Sequence, residues 1–345
     1  MPLFPVDQIR DFGRQLFCVC GAPEDEAAVV ADHLVEASLM GIDSHGVIRY
    51  IMYAQECVNG NIRPGAKIEL DWRSESLLLA DCNHNFGQVG AYRLVDELVR
   101  RAGEQGIAFG VTHHCHHVGR LGAYPQAAAQ AGLFGFAVAN SDKSGHFVVP
   151  HGGREARLAT NPLAWAAPTA TDPILLDMST SMTPEGKIRT ALHANSELAP
   201  GRILDAEGRP TTDPKNFYGP PRGSILPFGG DLAYRGYGLS LLVEILGSTI
   251  AGVPVSDDVE YMNGFGLIAI DPGPLTQGRF AELCSQLAAH VTSSAPAPSH
   301  SEVMLPGERE FRTLRQRQVN GIPLAEESCR QLESVAAEVG LNISF

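Results

Sequence analysis

The stretch Ile107-Ala108-Phe109-Gly110-Val111-Thr112-His113-His114-Cys115-His116-His117-Val118-Gly119-Arg120-Leu121-Gly122-Ala123-Tyr124 decides how this chain is to be read. Its first six residues form a short apolar run of strand length. A helix over about 122–131 follows, where AYPQAAAQAG offers small residues suited to close packing. In a doubly wound parallel sheet, the turn between such a strand and helix carries the dinucleotide fingerprint GxGxxG. Here Gly119 and Gly122 lack the leading GxG, no GxGxxG follows another strand, and no GxxxxGK[ST] occurs. A dinucleotide bound by this chain is not held through that fingerprint.

On the N-terminal side the chain reads as three helices. Val6 to Cys20 follows Pro5 and ends near Gly21. Pro23 suits a first helical position, with Val30, Leu34 and Ala37 on one apolar face as far as Gly41. A third helix begins around Ser44–His45–Gly46 and runs to Asn59–Gly60. From about residue 67, β-like runs (77–81, 107–112, 134–139, 174–177, 266–270) alternate with helices at about 88–104, 122–131 and 236–250. Irregular loop is expected across much of 140–235. SSAPAPSHS (293–301) reads as a linker, followed by a charged helix from about Gly307 and a last helix over 324–339. This grammar is α/β or α+β.

The chain has 345 residues, which corresponds to about two domains. Hydrophobic residues make up 44% and charged residues 19%, enough for a large core and too apolar for wholesale disorder. A net charge of −13 excludes a nucleic-acid or anionic-membrane surface. Seven scattered cysteines without a CxxC read as reduced thiols. The start, MPLFPVDQIRDFG, lacks the basic and apolar parts of a signal peptide, and Tyr237 to Val253 is too short to span a bilayer and carries Glu244. The expectation is a cytoplasmic protein without membrane or nucleic-acid partners.

Ser44-His45-Gly46-Val47-Ile48-Arg49-Tyr50-Ile51-Met52-Tyr53 carries the most chemistry. His45, Arg49 and Tyr53 stand at i, i+4 and i+8, so one helix would stack them on one face. They offer an imidazole, a fork for a carboxylate and a phenol, the set a small 2-oxo or 2-hydroxy acid requires. A solvated polar face is the alternative reading. The run 113–117 holds five potential zinc ligands, but on a strand they alternate sides and cannot converge without a special loop. A polar strand end or an acid/base histidine are the other readings, and no metal site is expected. In Arg157–Pro162, Thr160 and Asn161 can donate to a ligand or to the turn that Asn-Pro forces after a possible strand. Asp177 ends a buried-looking strand, Leu176-Asp177-Met178-Ser179-Thr180-Ser181. The hydroxyls behind it suit a pyrophosphate, or Asp177 caps the helix carrying Pro184, Gly186 and Lys187. The Gly-rich loop before Tyr234-Arg235-Gly236 leads into an apolar helix whose N-terminus either favours an anion or merely caps.

In order and spacing, SHGVIRYIMY (44–53), HVGRLGAY (117–124), VVPHGG (148–153), TNP (160–162), LDMSTS (176–181), EGKI (185–188), PFGG with YRGYGLSLLVEILGSTIAG (227–252) and LPGE (305–308) resemble the malate/L-lactate dehydrogenase family, which is unrelated to Rossmann-fold lactate dehydrogenases. HVGRLGAY and AYRGYGL are most similar to the hydroxycarboxylate dehydrogenase B-like members. The resemblance implies an α+β fold: a non-Rossmann, mixed and largely antiparallel sheet (71–300) that binds the cofactor, and a helical substrate and dimerisation unit built from both chain ends (1–70 with 301–345). It implies reduction of a small 2-oxo acid, or of a cyclic imino acid, with NAD or NADP, NAD being favoured, in a homodimer whose subunits share the active site. A zinc-dependent hydrolase built on residues 113–117 is the remaining alternative.

By the same resemblance His45 and His117 are catalytic, and Ser44, Arg49, Tyr53 and Thr160 touch the substrate. The cofactor falls to His117, Asn161, Leu176, Asp177, Met178, Ser179, Thr180, Ser181, Tyr234, Arg235, Gly307, Glu308 and Arg309. Two departures stand out. Arg235 replaces the family's Lys before Gly-Tyr-Gly, keeping charge but changing geometry. Ala159 replaces the Gly before Thr-Asn-Pro.

Overall fold

The computed structural model describes residues 1–253 and 263–341; residues 254–262 and 342–345, which fall within the two expected units, lie outside the described residues. Helices α1 (Val6–Val19), α2 (Glu24–Leu39) and α3 (Arg49–Val58) open the chain. α1 buries Ile9, Phe12 and Leu16, an i, i+3, i+7 stripe. These side chains share a core with Leu34, Tyr50 and Tyr53, and with Ile322, Leu332 and Val335 from the other end of the chain. Leu3–Phe4 also pairs antiparallel with Ile322–Pro323, so the two chain ends close on each other.

Among the described residues, seven strands form one sheet: β1 (Glu69–Trp72), β2 (Leu77–Asp81), β3 (Ile107–His113), β4 (Phe134–Ala139), β5 (Pro162–Ala167), β6 (Ile174–Ser179) and β7 (Phe265–Ile270). The order is β1-β2-β3-β7-β4-β5-β6, and only β2 and β3 run parallel. The expected mixed, largely antiparallel sheet is what the chain forms. Helices α4 (Gly87–Gln105) and α5 (Ala123–Gln130) pack on it through Leu94, Leu98, Tyr124 and Ala128 against Ala108, Ala137 and Leu267. α6 (Glu185–His193), α7 (Ala233–Gly247), α8 (Phe280–Thr292), α9 (Glu308–Asn320) and α10 (Glu326–Glu338) complete the longer helices.

Two expectations are corrected. The third helix starts at Arg49, not at 44–46: His45 lies in a separate 3-10 turn, Asp43–His45. The reason is a contact with the end of α2: buried Ser38 Oγ takes the Val47 N–H at 3.0 Å, removing a bond that a continuous helix needs. Pro162 opens β5 instead of following a strand; the turn sits at Asn161, whose φ is 41°. The span 140–235 is largely irregular, as expected, and within it lie β5, β6, α6 and a small sheet of 203–204, 210–211 and 224–225.

Arg317 of α9 grips Asp43 with both terminal nitrogens (2.6 and 3.2 Å) and also donates to the Ser38 carbonyl, which fixes the His45 turn against the C-terminal helices. The loop after β3 is seated with equal precision. A Cβ on Gly87, the first residue of α4, would lie 2.1 Å from the His116 carbonyl oxygen and 2.5 Å from that of His117. Gly87→Ala should therefore cost about 1–3 kcal/mol in urea unfolding. Gly103→Ala, in the same helix but with open space around it, should be neutral or stabilise by about 0.5–1 kcal/mol.

Candidate active site

Tyr53, fixed in the core beside Phe17 and Phe86, points its hydroxyl at His117. Tyr53 Oη lies 2.7 Å from His117 Nδ1 and 3.3 Å from the His117 carbonyl oxygen. Gln88 Nε2 donates to Tyr53 Oη at 2.7 Å, and the Gly119 N–H donates to His117 Nδ1 at 3.3 Å. The Gly119 N–H can only donate, which makes Nδ1 an acceptor, so the Tyr53 hydroxyl donates to it and the neutral ring carries its proton on Nε2. Gly119 permits this seat: its φ is 74°, and a Cβ there would fall 2.3 Å from His33 Nε2.

His45 stacks on His117 with ring centroids 5.6 Å apart and planes 27° from parallel. Its Nδ1 meets Ser44 Oγ at 2.9 Å. Arg49 donates Nε to the Ser44 carbonyl at 2.7 Å and Nη1 to Met52 Sδ at 3.5 Å, and it pairs with no carboxylate among the described residues. Burial, with Arg49 adding repulsion, pushes His45 down to about 4. Burial first, then Arg49 and the neighbouring histidines, holds His117 well below its ordinary value. The result is a guanidinium without an anion, facing two neutral imidazoles. Such a site takes an anion and offers N–H groups to an adjacent oxygen.

The residues expected at the cofactor form a second group. Thr180 N–H donates to the Thr160 carbonyl at 3.0 Å, and Thr180 Oγ1 donates to the Asn161 carbonyl at 2.9 Å. Asn161 is fully buried: Nδ2 binds Ser240 Oγ and Glu244 Oε1 on α7, while Oδ1 has no partner among the described residues. Leu176 and Met178 pack with Val243 and Leu163, and Ser179 Oγ lies 3.0 Å from Ser181 Oγ. Asp177 does not cap α6. Its Oδ2 accepts the Gly122 N–H at 2.7 Å, so it holds the loop between His117 and α5, and burial raises its carboxyl. Phe228 N–H reaches the Thr180 carbonyl (2.8 Å), bringing in the loop before Tyr234 and Arg235, which are exposed and joined by a 3.2 Å bond. Gly307 packs against Leu175, Glu308 Oε2 accepts the Leu305 N–H at 3.0 Å, and exposed Arg309 pairs with Glu310.

The histidine run does not converge on one point. His113 and His114 face Asp81, His116 Nε2 meets the Asn61 carbonyl at 2.7 Å, and His117 turns to Tyr53. Sequence reasoning missed Gln88, His33 and the partnering of Arg120. Arg120 is almost fully buried, with Nη2 on Glu36 Oε1 (2.9 Å) and Gln126 Oε1 (3.1 Å), while its backbone N–H donates to His33 Nε2 at 2.9 Å. Only long-range packing gives these residues their place, and no local spacing marks it.

The family model described as malate/L-lactate dehydrogenase matches residues 4–333. The chain belongs to that family. It is similar to malate dehydrogenase from Pyrococcus horikoshii, 33% identical over 350 residues, with 98% of this chain and 95% of that protein covered. A solved structure of malate dehydrogenase from that organism superposes with a TM-score of 0.89 at 32% identity, covering 99% of this chain and 96% of the other. Hydroxycarboxylate dehydrogenase B from Escherichia coli K12 is 31% identical over 355 residues (98% and 94% covered). A Delta(1)-pyrroline-2-carboxylate/Delta(1)-piperideine-2-carboxylate reductase from Pseudomonas putida is 30% identical over 341 residues (96% of each). As a member of the malate/L-lactate dehydrogenase family, the chain is an oxidoreductase.

Burial, then Arg120 and His45, pushes His33 down to about 3. Unfolded, both His33 and His45 take up a proton near pH 6.5; folded, they resist until about 3 and about 4. The unfolded chain therefore binds more protons in that window. Stability should be full above pH 6.5 and fall as pH drops through it, by about 1.4 kcal/mol per unit for each such histidine. Urea midpoints between pH 4 and 7 check this, and His33→Asn should flatten the slope.

Proposed function

We propose that this protein interconverts a small 2-oxo acid and its 2-hydroxy acid with a nicotinamide cofactor, NAD in preference to NADP. The observation that carries the reading is Arg49: a guanidinium with no carboxylate partner among the described residues, beside His45 and His117. In this reading Arg49 clamps the substrate carboxylate, while Ser44, Tyr53 and Thr160 orient the rest. His117 handles the proton at the C2 oxygen, with His45 stacked beside it.

The expected cofactor residues fit a dinucleotide. Arg235 and Arg309 are exposed cations suited to phosphates, and buried Asn161 Oδ1 keeps an acceptor for an amide N–H. Leu176 to Ser181, Tyr234, Gly307 and Glu308 would hold the remainder. A nicotinamide held by these residues would supply or take up the hydride at C2 of the acid. The chain's own part is the proton. Neutral His117 donates an Nε2–H hydrogen bond to the substrate oxygen. A carboxylate on Arg49 offsets the positive charge that disfavours protonating His117, so substrate binding itself promotes the imidazolium. Tyr53 serves both states. Its O–H donates to Nδ1 of the neutral ring, and can turn to the His117 carbonyl while Oη accepts from a protonated Nδ1.

The same reading keeps the helical unit (1–70 with 301–345) apart from the sheet unit (71–300), supported by the core that joins Ile9 and Tyr53 to Ile322 and Val335. It also takes a homodimer with a shared site. α7 turns Ser240 and Glu244 inward to Asn161 and leaves Leu239, Leu241, Leu242 and Ile245 exposed, as a helix covered by a second copy would. Seven free cysteines support a reducing, cytoplasmic setting. Among the described residues no helix is long and apolar enough to cross a membrane. The Pseudomonas putida relative favours a second substrate class, cyclic imino acids, whose carboxylate Arg49 would hold in the same way.

A screen of NADH and NADPH oxidation against linear 2-oxo acids and cyclic imino acids tests the reading. Arg49→Ala should raise KM by about 10–100-fold. His117→Ala should lower kcat by about 10²–10⁴. Wild-type turnover in both His45→Ala and His117→Ala overturns the proton chemistry.

A further inference from the structure

The first part of the histidine run turns away from the proposed catalytic site. β2 and β3 are parallel neighbours, and their last residues, Asp81 and His113, are register partners. Beyond the strands the chain stays paired, with Cys82 N–H on the His113 carbonyl (3.0 Å) and His84 N–H on the His114 carbonyl (2.9 Å). His114 takes a left-handed φ of 46°. That turn is the special loop a strand lacks: it rotates His114 onto the side that His113 already faces. His114 Nδ1 lies 2.9 Å from Asp81 Oδ1, and His113 Nε2 lies 3.7 Å from Asp81 Oδ2. One ligand atom from each of the three residues lies within 4.8 Å of the others.

We propose that Asp81, His113 and His114 form a binding site for one divalent transition-metal ion of the zinc, nickel or cobalt class. Two imidazole nitrogens and one carboxylate are a donor set these borderline ions accept, and calcium and magnesium do not favour it. Metal–ligand bonds of about 2.0–2.2 Å place tetrahedral ligand atoms roughly 3.3–3.5 Å apart. The separations of 2.9 Å to Asp81 Oδ1 and 3.7 Å to Oδ2 lie on either side of that value, so side-chain rotation that brings both imidazoles to the carboxylate would close the site. The ion takes the place of the hydrogen between His114 Nδ1 and Asp81 Oδ1, the His114 ring carries its proton on Nε2 instead, any second proton goes to water, and nothing is oxidised or reduced.

Supporting contacts are in place. The Asn83 N–H donates to Asp81 Oδ1 at 2.9 Å and orients the carboxylate, as outer partners of metal ligands do. The His84 ring packs 5.1 Å from that of His114, and water completes the coordination. The three side chains are 24–40% exposed, so an ion reaches them without unfolding. The site would clip together the ends of β2 and β3, immediately before the loop that carries His117. It is separate from the proposed hydride chemistry, and none of its ligands contacts the substrate residues.

Tag-free protein, stripped with chelator and titrated calorimetrically with zinc chloride, tests the proposal. One equivalent should bind with micromolar or tighter affinity and raise the thermal midpoint. Asp81→Asn and His114→Gln should each weaken binding at least tenfold and abolish the midpoint shift, while keeping the circular dichroism and metal-free midpoint of the parent. His45→Ala, which alters the other site, should leave zinc affinity unchanged. Millimolar binding only, or affinity retained in both Asp81→Asn and His114→Gln, overturns the proposal. Loss of zinc binding in His45→Ala with retention in His114→Gln overturns it too, by moving the metal to the other site.

Discussion

The 2.7 Å hydrogen bond between Tyr53 Oη and His117 Nδ1 joins the two parts of the molecule that the site requires. Tyr53 belongs to a helix whose inner face is packed into the core shared by both chain ends. His117 belongs to the loop that leaves the central sheet. Because the Tyr53 ring is buried among Phe17 and Phe86, its hydroxyl has little freedom. Gln88, at the start of the helix that follows β2, then fixes what that hydroxyl donates to. Apolar packing thereby sets a proton position, and the proton position decides which nitrogen of His117 faces the site.

Electrostatics builds on that geometry. A chain of net charge −13 has no broad surface for anions, so an anionic substrate must be drawn by a local group. Arg49 is such a group, and its repulsion adds to the burial that keeps His45 and His117 neutral. Arg120 is handled differently. Glu36 and Gln126 satisfy one end of its guanidinium, and the nearby carboxyl of Asp177 accepts the Gly122 N–H. One arginine is built into the scaffold while the other is left open to a ligand.

Much of this was legible in the residues. The strands at 77–81 and 134–139 have the limits their apolar runs indicate, and α4 and α5 lie within a residue of theirs. The relation of His45 to Arg49 was misread as helical stacking, because Ser38, nine residues before Val47, takes the N–H that would have continued the helix. The strand Glu69–Trp72 escaped notice because an edge strand of mixed polarity has no apolar run to mark it. Capping of the helix next in sequence was one of two readings open for Asp177, yet its carboxylate serves a loop 55 residues earlier. The partition of 113–117 depends on one left-handed residue, His114, which no spacing rule predicts. What escaped the sequence reading was fixed by contacts between distant segments.

The most direct measurement is a crystal structure with reduced nicotinamide cofactor and an unreactive 2-oxo acid analogue bound. The account predicts the analogue's carboxylate on the Arg49 guanidinium and its C2 oxygen about 2.6–3.2 Å from His117 Nε2, with the dihydropyridine ring facing C2. An analogue carboxylate bound away from Arg49, or a dihydropyridine ring remote from His45 and His117, would contradict it.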